Sequence, residues 1–147
     1  MPAITPFLVQ RIDHIVLRVR DIERSITFYR ELTGCEVIRR RDDLGFVHMR
    51  AGASMIDLVA VDGPTGRKGG AAAGPEGRNL DHLCLRIHPF EEDAISEHLA
   101  RCGVQIIERA ANNFGAEGSG PSVYFSDPDG NIIELKGPAV RAQAGDT

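Results

Sequence analysis

Arg11-Ile-Asp-His-Ile-Val-Leu-Arg-Val19 and Asn79-Leu-Asp-His-Leu-Cys-Leu-Arg-Ile87 carry Asp, His, Leu and Arg at the same offsets, with apolar residues at most positions between them. Internal repetition of this kind decides an architecture, because each copy must repeat the same local structure. Each copy is short and rich in β-branched or aliphatic residues, so it is read as a strand. A helical pattern follows in both places: Ile22, Ile26 and Tyr29 with Phe28 and Leu32, ending at Gly34, then Ile95, Leu99 and Cys102, ending at Gly103. Asp21 and Asp93 stand near the two helix starts. β-branched stretches come next, at 36–38 and 104–107, and then two more strands per copy. In the first copy these span 46–50 and 55–61, split by Ala51-Gly52-Ala53. In the second they span 122–126 and 132–136, split by the turn Asp127-Pro-Asp-Gly-Asn131. Each half therefore reads β-α-β-β-β and closes on a hairpin.

This predicts an α+β domain with a first βαβββ module over 10–61, a Gly/Ala/Pro-rich linker over 62–78, a second module over 79–137 and a flexible tail over 138–147. The Gly-rich stretch 112–120 is expected as a loop inside the second module, able to close as a lid. A chain of 147 residues with 42% hydrophobic and 26% charged residues folds as one domain and is too apolar to be disordered. Seventeen basic against 21 acidic residues leave a net charge of −4, with no basic block beyond Arg39-Arg40-Arg41. Such a field does not attract nucleic acid, and a small-molecule partner fits it better. The aliphatic runs are far too short for a membrane span of about 20 residues. The first ten residues do not read as a secretory signal. Three cysteines without CxxC spacing read as reduced thiols, so a cytoplasmic protein is expected.

Strand alternation places the chemistry. Ile12, His14, Val16 and Arg18 share one face, and Leu80, His82, Cys84 and Arg86 are their counterparts. On the closing strands Asp57 lies within Met-Ile-Asp-Leu-Val and Glu134 within Ile-Ile-Glu-Leu. A carboxylate in such surroundings wants a cation, since an isolated charge in an apolar interior is strongly disfavoured. A single strand histidine is ordinarily a hydrogen-bonded structural residue. Two imidazoles and two carboxylates at matched places in two copies are a ligand set for one divalent metal such as Ni²⁺, Zn²⁺, Fe²⁺ or Mn²⁺. Tyr124 and His48 are candidates to assist at the site. Arg18 and Arg86, on the histidine faces, are candidates to hold a substrate carboxylate or phosphate.

Over residues 11–137 these motifs resemble the vicinal oxygen chelate superfamily, which includes glyoxalase I, extradiol dioxygenases, fosfomycin-resistance enzymes and bleomycin-binding proteins. The stretch Val-Tyr-Phe-Ser-Asp-Pro-Asp-Gly-Asn-Ile-Ile-Glu-Leu carries the resemblance most specifically. Gly115-Ala-Glu-Gly with Ser122-Val-Tyr-Phe is similar to a glyoxalase-like "virulence protein" subgroup. The resemblance implies two tandem βαβββ modules forming a cup-shaped, eight-stranded mixed sheet around a metal. It also implies ligand roles for His14, His82 and Glu134, with Asp57 as a fourth where glyoxalase I normally has Glu. The activity implied is that of a metal-dependent lyase or isomerase acting on a substrate that chelates through vicinal oxygens, with Glu134 as base and Asp57 as a further proton acceptor. Without Asp57, the His, His and Glu set is that of a non-haem Fe²⁺ dioxygenase. A metal-free binding cup, as in bleomycin resistance, is the third alternative. Thiol transfer of the fosfomycin type is disfavoured, because the sequence displays neither a potassium loop nor Lys- and Ser-rich phosphonate contacts. Related proteins pair two chains, so a homodimer with a site that both chains can share is expected.

Overall fold

In the computed structural model, which describes residues 4–140, the repeat is a repeat of structure. The first module runs β1 (His14–Val19), α1 (Ile22–Thr33), β2 (Glu36–Arg41), β3 (Phe46–Ala51) and β4 (Ser54–Ala60). The second runs β5 (Leu83–Arg86), α2 (Glu92–Arg101), β6 (Glu108–Gly115), β7 (Gly118–Ser126) and β8 (Ile132–Lys136). The eight strands divide into two four-stranded mixed sheets with orders β1-β4-β3-β2 and β5-β8-β7-β6. In each, the first strand pairs parallel with the last and the remaining pairings are antiparallel. β1 and β5 are edge strands of their sheets. No helix among the described residues is long and apolar enough to cross a membrane.

Helix α1 starts as its sequence dictates: Asp21 is the N-cap, and its side chain accepts from the backbone N–H of Arg24 at 3.0 Å. It stops at Gly34, whose φ of 73° lets its N–H reach back to the Arg30 carbonyl at 3.0 Å. In α2 the N-cap is Glu91, and Asp93 falls inside the first turn, where its charge still favours the helix dipole. Two further expectations are revised in this half. The β-branched stretch 104–107 is not a strand, and 112–120 is not a loop but most of the β6–β7 hairpin, turned at 116–117. Ala, Asn and Gly have weak strand preference, and here pairing with β7 overrides it. The linker is ordered over Gly66–Gly69 as a single 3-10 turn, and a Cβ at Gly66 would overlap the Ala60 carbonyl. Of the tail, 141–147 lie outside the described residues.

One core spans both modules. Leu17, Val19, Val47, Met49, Ile56 and Leu58 from the first sheet meet α1 residues Ile26, Tyr29 and Leu32. Val123, Phe125, Ile133 and Leu135 from the second sheet, with Leu99 of α2, join the same cluster. The modules are thus packed through their helix-covered faces, and the histidine-bearing faces point away from that core. The turn Asp127-Pro-Asp-Gly-Asn131 acts as a clasp between them. Tyr29 Oη donates to Asp127 Oδ2 at 2.6 Å, while Asp129 Oδ1 accepts from the backbone and guanidinium of Arg20 at 2.9 and 3.3 Å. Burial, then the adjacent Asp127 and Asp129 charges, push the Tyr29 hydroxyl well above its usual range, so it stays a donor. Replacing Tyr29 with Phe removes a donor from a buried carboxylate, and a loss of about 2 kcal/mol is expected in denaturant unfolding. A variant as stable as wild type would mean that the clasp holds nothing.

Candidate metal centre

Register brings each histidine beside a carboxylate in the same way. Val16 is opposite Asp57 and Cys84 is opposite Glu134, so His14 and His82 each sit one strand away from, and two residues off, the acid on the closing strand. The residue before each histidine then orients it. His14 Nδ1 lies 2.6 Å from Asp13 Oδ1, and His82 Nδ1 lies 2.6 Å from Asp81 Oδ2. A carboxylate on Nδ1 fixes the tautomer with that nitrogen protonated and leaves the Nε2 lone pair outward, as metal-binding histidines require. The hydrogen bond to Asp13, with the charge of Asp57 as a lesser cause, raises the His14 pKa; the same bond lowers that of Asp13.

The carboxylates repeat the theme. Glu134 is 4% exposed. Its Oε1 accepts from Ser122 Oγ at 2.7 Å and Asn113 Nδ2 at 3.0 Å, and its Oε2 faces His82 Nε2 at 3.3 Å. Burial alone would raise its pKa, but the donors Ser122, Asn113, Cys84 and Tyr124 together hold it down at about 2. Asp57, 1% exposed, has Oδ2 at 3.0 Å from His48 Nδ1, while Oδ1 is buried with no hydrogen-bond partner. Each copy thus offers an oriented imidazole and a carboxylate with one oxygen tied down and one left over. An orphaned, buried carboxylate oxygen is the expense that a cation would remove. The donor set of two imidazoles and two carboxylates fits a first-row divalent ion.

Within one chain the two halves stay apart. Among the described residues no group of three or more His, Cys, Asp or Glu side chains is close enough to hold a metal ion. The structure therefore brings together His14 with Asp57 and His48, and separately His82 with Glu134 and Tyr124, but not the two halves. Tyr124 reaches the second half: its ring lies 5.8 Å edge-on from His82, its hydroxyl accepts from Asn113 Nδ2 at 2.6 Å, and burial with the Glu134 charge pushes its pKa up to about 12. Burial and Glu134 likewise push the Cys84 thiol to about 12, which makes it a donor and not a nucleophile.

The arginines do different work. Arg18 makes four hydrogen bonds to linker carbonyls, from Nε to Gly66, Nη1 to Gly69 and Ala71, and Nη2 to Gly70, so it pins the linker. Arg86 Nε donates to Glu117 at 2.7 Å and Nη1 to the Ile87 carbonyl. Five site residues escaped sequence reasoning: Asp13, Asp81, Ser122, Asn113 and Cys84. The Asp before each histidine was visible in the repeat itself, and Ser122 could have been found from its place on the same strand face as Tyr124, the register partner of Glu134; Asn113 was hidden in the stretch expected as a loop.

Residues 11–135 match the Glyoxalase/Bleomycin resistance protein/Dioxygenase superfamily. The chain is 35% identical over 131 residues to virulence protein STM3117 of Salmonella typhimurium, covering 87% of this chain and 84% of that protein. The crystal structure of that protein superposes with a TM-score of 0.72 at 26% identity, over 90% of this chain and all of the other. The chain is also 33% identical to the glyoxalase domain-containing protein RDO1 of Mycosarcoma maydis, over 86% of this chain and 68% of that one. Fosfomycin resistance protein FosX of Listeria monocytogenes is 26% identical over 87% of this chain and 90% of its own. A FosX structure complexed with Mn(II) and 1S,2S-dihydroxypropylphosphonic acid shares the fold at a TM-score of 0.66. With the repeated βαβββ modules and their two paired half-sites, these matches establish that the chain belongs to the glyoxalase, bleomycin resistance protein and dioxygenase superfamily.

Proposed function

We propose that this protein is a divalent-metal-dependent lyase or isomerase of glyoxalase type, acting on a small substrate that chelates through vicinal oxygens, with each site assembled from two copies of the chain. The observation that carries it is the matched pair of half-sites: His14 with the orphaned Oδ1 of Asp57, and His82 facing Oε2 of Glu134, each imidazole oriented by the preceding Asp. The metal-bearing FosX complex supports a cation in a cup of this fold. His14 and Asp57 of one copy and His82 and Glu134 of the other would hold the ion. β1 and β5, which carry the two histidine rows, are edge strands, the position from which a sheet can meet another chain.

A bound divalent ion supplies Lewis acidity to the two substrate oxygens and acidifies the C–H beside them. The chain's own residues divide the remaining work. Glu134 and Asp57, the expected bases, are also the carboxylates that would hold the ion, so a further proton acceptor beside them completes the set. His48, tied to Asp57 at 3.0 Å and opening onto the same face, takes that role, with Asp57 stabilising its charge. Tyr124 and Ser122 keep Glu134 aligned.

Metal analysis and titration test this proposal. About one Ni²⁺, Zn²⁺ or Mn²⁺ per chain, with lactoylglutathione formed from methylglyoxal and glutathione, is the expected outcome. Binding of Fe²⁺ with oxygen uptake on a catechol would move the chain to the dioxygenases. Failure to bind any of these ions after reconstitution would overturn both readings and leave a binding cup.

A further inference from the structure

Two residues beyond Glu134 on β8, on the same face, the chain buries a lysine. Lys136 is 6% exposed. Its register partners, Arg86 on β5 and Ser122 on β7, continue the row that joins Cys84, Glu134 and Tyr124. The hairpin is shaped around its stem: a Cβ at Gly115 would stand 2.8 Å from Lys136 Cε, and one at Gly120 would stand 3.2 Å from Nζ. The ammonium is nevertheless poorly matched. Among the described residues no carboxylate lies within 4.0 Å of Nζ, and its one hydrogen bond is a 3.5 Å donation to the Gly137 carbonyl. Three donors on a desolvated cation call for more than that.

The neighbouring charges do not answer it. Glu134 is occupied by Ser122, Asn113 and His82, and Glu117 is taken by Arg86. The arginines that the sequence offered for a substrate anion are themselves committed, Arg18 to the linker and Arg86 to Glu117. Among the described residues, Lys136 is the buried cation on this face, and its charge meets no carboxylate. We propose that Lys136 receives a compact oxyanion group of the substrate, a carboxylate, phosphonate or phosphate, carried by the same molecule whose vicinal oxygens meet the metal centre; this rests on the metal-centre proposal above. Glu134 and Lys136 are two strand residues apart, about 7 Å along the backbone, so the anionic group and the chelating oxygens belong to one small molecule.

The test uses full-length protein stripped of metal, titrated at constant ionic strength with methylphosphonate, followed by ³¹P NMR, and with acetate, followed by calorimetry. Wild type, Lys136→Met and Lys136→Arg are compared, with circular dichroism to verify that each is folded. Saturable binding that weakens roughly tenfold or more in Lys136→Met and survives in Lys136→Arg is expected, since Met keeps the stem and removes the charge. Preference for methylphosphonate assigns a phosphonate or phosphate; preference for acetate assigns a carboxylate. Equal binding by wild type and Lys136→Met overturns the proposal, as does absence of saturable binding of either probe by wild type. Mn²⁺ affinity, read by electron paramagnetic resonance on the same preparations, separates the two ideas. Metal binding without anion binding sinks only the role of Lys136, and anion binding without metal binding sinks only the metal centre.

Discussion

Under the proposed shared site, mixing the two variants His14→Ala and His82→Ala is expected to restore metal binding that neither shows alone. Each variant alone lacks one imidazole from every site that two copies build, so each homodimer is defective throughout. In a mixed dimer, one site joins the intact His14 half of one chain to the intact His82 half of the other, while the second site loses both. Random exchange of equal amounts makes about half the dimers mixed and so regenerates about a quarter of the wild-type sites. Activity should return in the same proportion. The basis is the separation of the half-sites within the chain, where no three ligating side chains converge among the described residues. The measurement is metal stoichiometry after co-refolding, with sizing to verify the dimer. No recovery from a dimeric mixture would mean that each chain completes its own site, and a monomer at micromolar concentration would remove sharing altogether.

Glu134→Gln is expected to lower divalent-metal affinity by at least about 100-fold, because a neutral amide replaces the anionic oxygen that faces His82. The substitution is nearly isosteric, and the amide oxygen can still accept from Ser122 and Asn113, so the fold should survive. It has a second readout in acid. In the wild type the Glu134 pKa is depressed to about 2 from 4.5. The unfolded chain therefore takes up this proton first, and the stabilisation is complete above about pH 4.5 and lost as pH falls toward 2. That contribution is on the order of 3 kcal/mol. Denaturant melts of metal-free protein at pH 5, 4 and 3 should show the wild type falling more steeply than Glu134→Gln. Parallel curves would mean that the Ser122 and Asn113 hydrogen bonds do not hold the carboxylate ionised.

The two folded modules were legible because their signals are local. A period of two puts His14 and Val16, or His82 and Cys84, on one face whatever surrounds them, and Asp21 and Gly34 bound α1 through hydrogen bonds within a turn. β6 was not legible. Its Ala-Ala-Asn-Asn segment has little strand preference of its own and is held by pairing to β7, a partner distant in identity from any local pattern. The motif Asp127-Pro-Asp-Gly-Asn131 was legible as a turn but not as the clasp onto Tyr29 and Arg20, which depends on where the other module lies.

The sequence by itself determined the repeat, the βαβββ order of each module, and which strand faces carry the imidazoles and carboxylates, because strand alternation carries those through the backbone; register then decided which imidazole keeps company with which carboxylate. Only the tertiary structure decided how the halves are disposed. Both faces of β4 and β8 are largely buried, so hydrophobic pattern does not say which face meets the other module. Packing through α1 and the clasp chose the faces opposite the histidines. In the folded chain Arg18 and Arg86 are committed to the protein itself, and Lys136 is buried without a partner charge among the described residues. A side chain's charge is written in the sequence, but the neutralising of that charge is a property of distance, and distance exists only in the folded chain.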